Sequence, residues 1–172
     1  AKASDAEDLA RFINMAADDL PLHFWQKSVG PDGDPWAHGK ERAARETGSF
    51  SYRNAWLTET DGKVGACLLG YAAEETPGPI DPDTPPIFVP LLELEALAPG
   101  SWYLNVLATY EAFRGKGLGK LLFDRLIEEA KEKKFTGIVW QVLEWNEPAI
   151  KFYKKYNAAF DGEWINCSIP IP

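Results

Sequence analysis

In residues 5–17 the apolar positions Leu9, Phe12, Ile13 and Ala16 recur at three- and four-residue intervals. That spacing belongs to one face of a helix, and Asp5 stands where a cap is expected. Residues 18–48 show no comparable period. Pro21, Pro31, Pro35 and the run Gly30 to Pro35 read as turns, and the charged run Lys40 to Glu46 suits a helix. Alternation takes over at 53–72. Trp56–Thr60 and Lys63–Tyr71 flank Asp61-Gly62, with Val64, Ala66 and Leu68 alternating. This predicts a hairpin, because the favoured two-residue turn needs positive φ at both central positions.

Residues 74–100 contain Pro77, Pro79, Pro82, Pro85, Pro86, Pro90 and Pro99 around one short apolar piece, Leu91–Leu97. A loop this long reads either as a substrate wall or lid, or as a solvated insertion. Trp102–Thr109 reads as a strand. Residues 117–133 read as a helix with Leu118, Leu121, Leu122, Leu126, Ile127 and Ala130 on one face. Ile138–Leu143 is a strand behind Gly137. Asn146–Tyr156 is a helix with Asn146 as its cap, Pro148 in its first turn and Ile150, Tyr153 and Lys154 on one side. Asn157 follows where the chain often turns left-handed. The tail, Phe160 to Ile171, returns as one or two strands. The order predicts an α+β fold of at most three layers.

A length of 172 residues suits one domain. The net charge of −8 counts against a general nucleic-acid binder, which normally shows a basic face. The acidity is compatible with a cationic substrate and also with solubility alone. Cys67 lies in an apolar run and reads as a buried free thiol. His23 and His38 lack metal spacing, so no metal is expected. No apolar stretch approaches the roughly 20 residues that span a bilayer, and no secretory signal is visible, so a cytoplasmic protein without membrane attachment is expected. Trp25 and Trp36, with the two histidines, read as packing anchors or as walls of an acceptor cavity.

The most informative stretch is Arg114-Gly115-Lys116-Gly117-Leu118-Gly119-Lys120, between a strand and a helix. Three alternate glycines strip side chains from the turn and let amide groups converge at a helix N-terminus. A phosphate or pyrophosphate fits there, with Arg114, Lys116 and Lys120 adding charge. A Walker loop is ruled out because Leu121, not Ser or Thr, follows Lys120. The dinucleotide fingerprint fails because position 120 is Lys. The other kinase signatures are missing. A bare turn without a ligand remains the alternative.

Arg114, Gly117 and Gly119 match the Arg/Gln-x-x-Gly-x-Gly/Ala segment of the GNAT superfamily, and the chain resembles that family. Leu107-Ala108-Thr109 and Phe113 sit where the family places its cofactor-contacting strand and an aromatic. A second match is Asn146 to Tyr153, corresponding to Asn-x-x-Ala-x-x-Phe-Tyr. Glu144 to Pro148 resembles the spermidine/spermine N-acetyltransferase branch in particular. Together the matches cover roughly residues 104–160. Two features depart from the family: Asn157 replaces a frequent Gly, and the strand 102–109 has no acidic residue to serve as general base.

The resemblance implies a single 1–172 N-acetyltransferase domain with an α/β/α three-layer sandwich. Its mixed, mostly antiparallel sheet would have splayed central strands flanked by helices. Residues 1–100 would form the acceptor side and 101–172 the acetyl-CoA side. It implies cofactor contacts from Leu107, Ala108, Thr109, Arg114, Gly115, Lys116, Gly117, Leu118, Gly119, Lys120, Asn146 and Phe152, with Tyr153 as general acid. The implied partner is a small-molecule amine, polyamine or amino-acid-like, and the implied assembly extends to a homodimer. A protein N-terminus or lysine as acceptor, and a non-catalytic acyl-CoA sensor, are the alternatives. Glu93, Glu95, Glu111 and Glu144 are the carboxylates open to an amine-handling role.

Overall fold

The computed structural model describes residues 1–161 and 165–170. The chain is mixed α+β and divides into two compact units, Ala1–Gly70 with Asn105–Leu126, and Tyr71–Leu104 with Ile127–Pro172.

The first unit begins with α1 (Ala6–Ala16), α2 (Leu20–Val29) and α3 (Pro35–Ala43). Helix α1 packs on α2 and α3, and α2 on α3. Of the expected period of α1, Leu9, Phe12 and Ile13 join Trp25, Cys67, Leu69 and Val106 in one core, whereas Ala16, at the end of the helix, is exposed. Each large side chain so buried contributes about 1.5–3 kcal/mol. Asp5 does not cap α1 through its side chain. Its carboxylate instead accepts from the Lys2 amide at 2.7 Å, because a 3₁₀ turn (Ala3–Asp5) precedes the helix.

Helix α2 was not foreseen. The chain reverses into it through Asp18 and Asp19 at φ 50° and 66°. Asn14, buried in α1, holds the reversal: its Nδ2 donates to Asp19 Oδ1 at 2.6 Å, and its Oδ1 accepts from the Leu22 amide at 2.9 Å. The charged run 40–46 supplies only the end of α3, which starts earlier because Asp34 accepts from the Trp36 and Ala37 amides.

Strands β1 (Ala55–Thr60) and β2 (Lys63–Ala72) form the expected antiparallel hairpin. Asp61 and Gly62 take φ 53° and 71°, as the turn chemistry requires. Within this unit the strand order is β1-β2-β3, where β3 (Trp102–Thr109) contributes its second half. Helix α5 (Leu118–Glu132) begins here. Leu121, expected on its apolar face, is 61% exposed. The buried stripe runs through Leu122, Leu126 and Ala130 at four-residue steps, and Leu121 lies about 100° off it.

The second unit holds the Pro-rich loop with α4 (Val89–Ala96), the first residues of β3, and β4 (Gly137–Val142), α6 (Glu147–Lys154), β5 (Ala159–Asp161) and β6 (Ile165–Pro170). Its strand order is β3-β4-β6-β5, with β3 and β4 parallel and the other pairs antiparallel. Trp102 stacks edge-on against Phe135 at 5.4 Å, and Trp140 lies 4.7 Å from Tyr153. The expected tail strands are β5 and β6; residues 162–164 and 171 lie outside the described residues.

Both cysteines are buried, and neither is in a disulfide. Burial pushes the Cys67 thiol far up and that of Cys167 up to about 12. Among the described residues, no helix is long and apolar enough to cross a membrane.

Candidate functional site

In the first unit, Leu107–Thr109 end β3 half-buried, and a 3₁₀ turn (Glu111–Phe113) leads into the glycine-rich segment. The Leu121 amide bonds the Gly117 carbonyl at 3.0 Å and opens the ladder of α5. The amides of Leu118, Gly119 and Lys120 therefore have no helical carbonyl to bond, and they sit at the positive end of the helix dipole. Gly115 and Gly117 have φ 75° and 79°. A side chain at either would strain the backbone, so the bare main chain is what holds this turn's shape.

The three cations cluster at the same turn. Arg114 Nε donates to the Thr109 carbonyl at 3.4 Å, Lys116 Nζ lies 4.9 Å from the Phe113 ring centre, and Lys120 Nζ pairs with Asp124 at 2.5 Å. Thr109 Oγ1 also faces Gly119: a Cβ added there would meet it at 3.6 Å. Leu107, Ala108, Thr109 and Arg114 to Lys120 are thus brought together by one strand–turn–helix segment.

What seats this segment was not read from the sequence. Gly65 in β2 has no side chain, and a Cβ there would stand 2.6 Å from Leu118 Cδ1 and 3.0 Å from Phe113 Cδ1. Its carbonyl accepts from the Tyr110 amide at 3.0 Å. The Tyr110 hydroxyl donates to Asp8 Oδ1 at 2.7 Å, and its ring lies 4.2 Å from Phe12. Burial first, then the Asp8 bond, push the Tyr110 phenol well above its ordinary value. A glycine interrupting the hairpin's alternation was the one available sequence signal.

In the second unit, Asn146 caps α6, its side-chain oxygen accepting from the Ala149 amide at 3.3 Å. Asn157 takes φ 55° after the helix, as expected of a left-handed stop. Phe152 is half-buried and Tyr153 only 6% exposed, with ring centres 5.2 Å apart. Burial, then the neighbouring Cys167, raise the Tyr153 phenol far above its usual value, so it is fully protonated at neutral pH. Of the four carboxylates singled out, Glu93, Glu111 and Glu144 are exposed and Glu95 is half-buried.

Comparison with known proteins agrees with this architecture. The profile of the acetyltransferase (GNAT) family matches residues 14–158. The L-ornithine N5-acetyltransferase NATA1 of Arabidopsis thaliana is 33% identical over 73 residues, 42% of this chain. That match spans about a third of the relative's own length (32%). Among solved structures, an N-acetyltransferase from Staphylococcus aureus Mu50 superposes with TM-score 0.72 at 20% identity, covering 98% of this chain and 97% of that one. A Mycobacterium tuberculosis protein solved in complex with CoA superposes with TM-score 0.54 at 13% identity, covering 94% of this chain and 70% of that one. At these identities the structural likenesses establish the fold.

Proposed function

Since the chain belongs to the acetyltransferase (GNAT) family, we propose that it moves an acetyl group from acetyl-CoA to a primary amine of a small molecule. The observation that carries this reading is the row of unpaired amides at Leu118–Lys120, framed by glycines at positive φ. Such a cradle fits a diphosphate, whose charge the helix dipole and Arg114, Lys116 and Lys120 complement. The CoA of the M. tuberculosis fold relative supports the same cofactor here, and the ornithine acetyltransferase supports a small amine as acceptor.

When bound, the acetyl thioester supplies the activated carbonyl that an amine attacks. The protein's own contributions are distinct. The Leu107–Thr109 main chain offers strand-like hydrogen bonds to an extended arm, which give affinity without demanding particular side chains. Gly115–Lys120 hold the phosphates. Tyr153 Oη carries a proton at neutral pH, as a tyrosine phenol ordinarily does, and burial makes it hold that proton more tightly. That proton is the one a departing thiolate requires.

The test combines acetyl-CoA with a panel of amines and reads acetylated products by mass spectrometry. Acetylation of at least one small amine is expected. Tyr153→Phe should lower kcat by about a hundredfold or more while CoA affinity holds. No product from any amine would refute transfer in favour of a binding module. A full rate in Tyr153→Phe would take the proton away from this residue.

A further inference from the structure

Glu95 is the one singled-out carboxylate that the fold draws inward, and its surroundings have a chemistry of their own. Glu93, two residues earlier on α4, is exposed. The Glu95 carboxylate accepts from the Tyr71 hydroxyl at 3.1 Å, at the end of β2. The Tyr71 ring lies 5.4 Å from that of Tyr103 near the start of β3. The Tyr103 hydroxyl in turn donates to Gln141 Oε1 on β4 at 2.5 Å. All four residues belong to the second unit.

The arrangement has a negative charge, two aromatic rings and a fixed amide. Among the described residues, no Lys, Arg or His lies within ion-pair distance of Glu95. Burial raises the Glu95 carboxyl, the Tyr71 hydroxyl offsets part of that, and Glu74 adds like-charge repulsion. A half-buried carboxylate facing another acid is an unfavourable thing to fold without a counter-charge. Hard divalent ions want several oxygen ligands, and among the described residues no group of three acidic, His or Cys side chains exists to hold one. An alkylammonium needs much less. One carboxylate supplies its charge partner and tyrosine faces supply cation–π attraction.

We propose that Glu95, with the Tyr71 ring that the buried Tyr103 backs, receives a positively charged nitrogen of the acceptor other than the one acetylated. The inference rests on the acetyl-transfer reading and narrows its substrates to amines carrying a second cationic centre. Gln141 is a positioning residue, fixing the Tyr103 hydroxyl so that the ring keeps its place beside Tyr71.

Glu95→Gln tests the charge alone, because glutamine still accepts the Tyr71 hydrogen bond and leaves α4 anchored. The probes are putrescine and n-butylamine, of equal carbon length, one with a second cation and one without. The variant should lower kcat/KM for putrescine about tenfold to a hundredfold, the worth of a hydrogen-bonded charge. The n-butylamine value and the KM for acetyl-CoA should stay within about twofold. Equal losses for both amines, or no loss for putrescine, would overturn the proposal. Should wild-type protein turn over no amine, transfer itself fails. Calorimetric titration of putrescine into wild-type and Glu95→Gln protein then decides the recognition site: about tenfold weaker binding in the variant supports it, and equal binding or none refutes it.

Discussion

Replacing Gly117 by valine would put a β-branched side chain at φ 79°. An added Cβ meets nothing within 4 Å, so the cost is backbone strain and not collision. Holding an L-residue in the left-handed region costs about 1–2 kcal/mol, and a β-branched one more. For a chain of this size that lowers Tm by roughly 2–8 °C, well short of unfolding it. The turn can escape the strain only by rotating φ to negative values, which swings the Leu118–Lys120 amides off their common point. Hydrogen bonds from amides to a charged phosphate are worth about 1.5–3 kcal/mol each. Losing two weakens coenzyme A binding by roughly a hundredfold to ten-thousandfold. Isothermal titration with coenzyme A reads this directly. Gly119→Ala is the control: its Cβ meets Thr109 Oγ1 at an ordinary 3.6 Å, and affinity should hold. Native affinity in Gly117→Val would refute the reasoning, since the turn's shape would then not matter to the ligand.

Gly65→Val should destabilise the protein by about 1–3 kcal/mol, because its Cβ would press on Leu118 and Phe113, and an unchanged urea midpoint would argue against that packing. Tyr110→Phe removes a hydrogen bond to the Asp8 carboxylate and should cost about 1–2 kcal/mol. In an Asp8→Asn background the same change should cost less, and equal costs in both backgrounds would deny the pair its coupling. Alkaline pH should destabilise the fold. Tyr103 and Tyr153 hold their protons more tightly folded than unfolded, so their stabilising effect is complete below about pH 10 and fades as pH climbs towards their raised values. Each deepens the fall by at most roughly 1.4 kcal/mol per pH unit, and urea midpoints at pH 9 and 11 that coincide would contradict it.

The elements written in local chemistry were legible. Asp61-Gly62, the Asn146 cap and the Asn157 stop each act on neighbouring backbone, so the residue type alone betrays them. Helix α2 was not legible because its start depends on Asn14, which bonds Asp19 and Leu22 only once the chain has already reversed. Leu121 misled because several apolar residues of α5 shared the apparent face while its neighbours set the stripe. The site divides the same way. The glycine turn is contiguous and carries its own signal. Glu95 with Tyr71, Tyr103 with Gln141, and Tyr110 with Asp8 are separated by 24, 38 and 102 residues, and no spacing rule joins them.

The burial of Cys67 and Cys167 has a practical corollary at the bench. With one thiol at about 12 and the other higher still, on the order of one sulfur in ten thousand or fewer is ionised at pH 8. An aromatic-disulfide dye should therefore stay colourless against the native chain and register only sulfhydryls liberated in the surrounding solution. Added urea would unmask both side chains, so the same absorbance band could follow turnover in one cuvette and denaturation in the next.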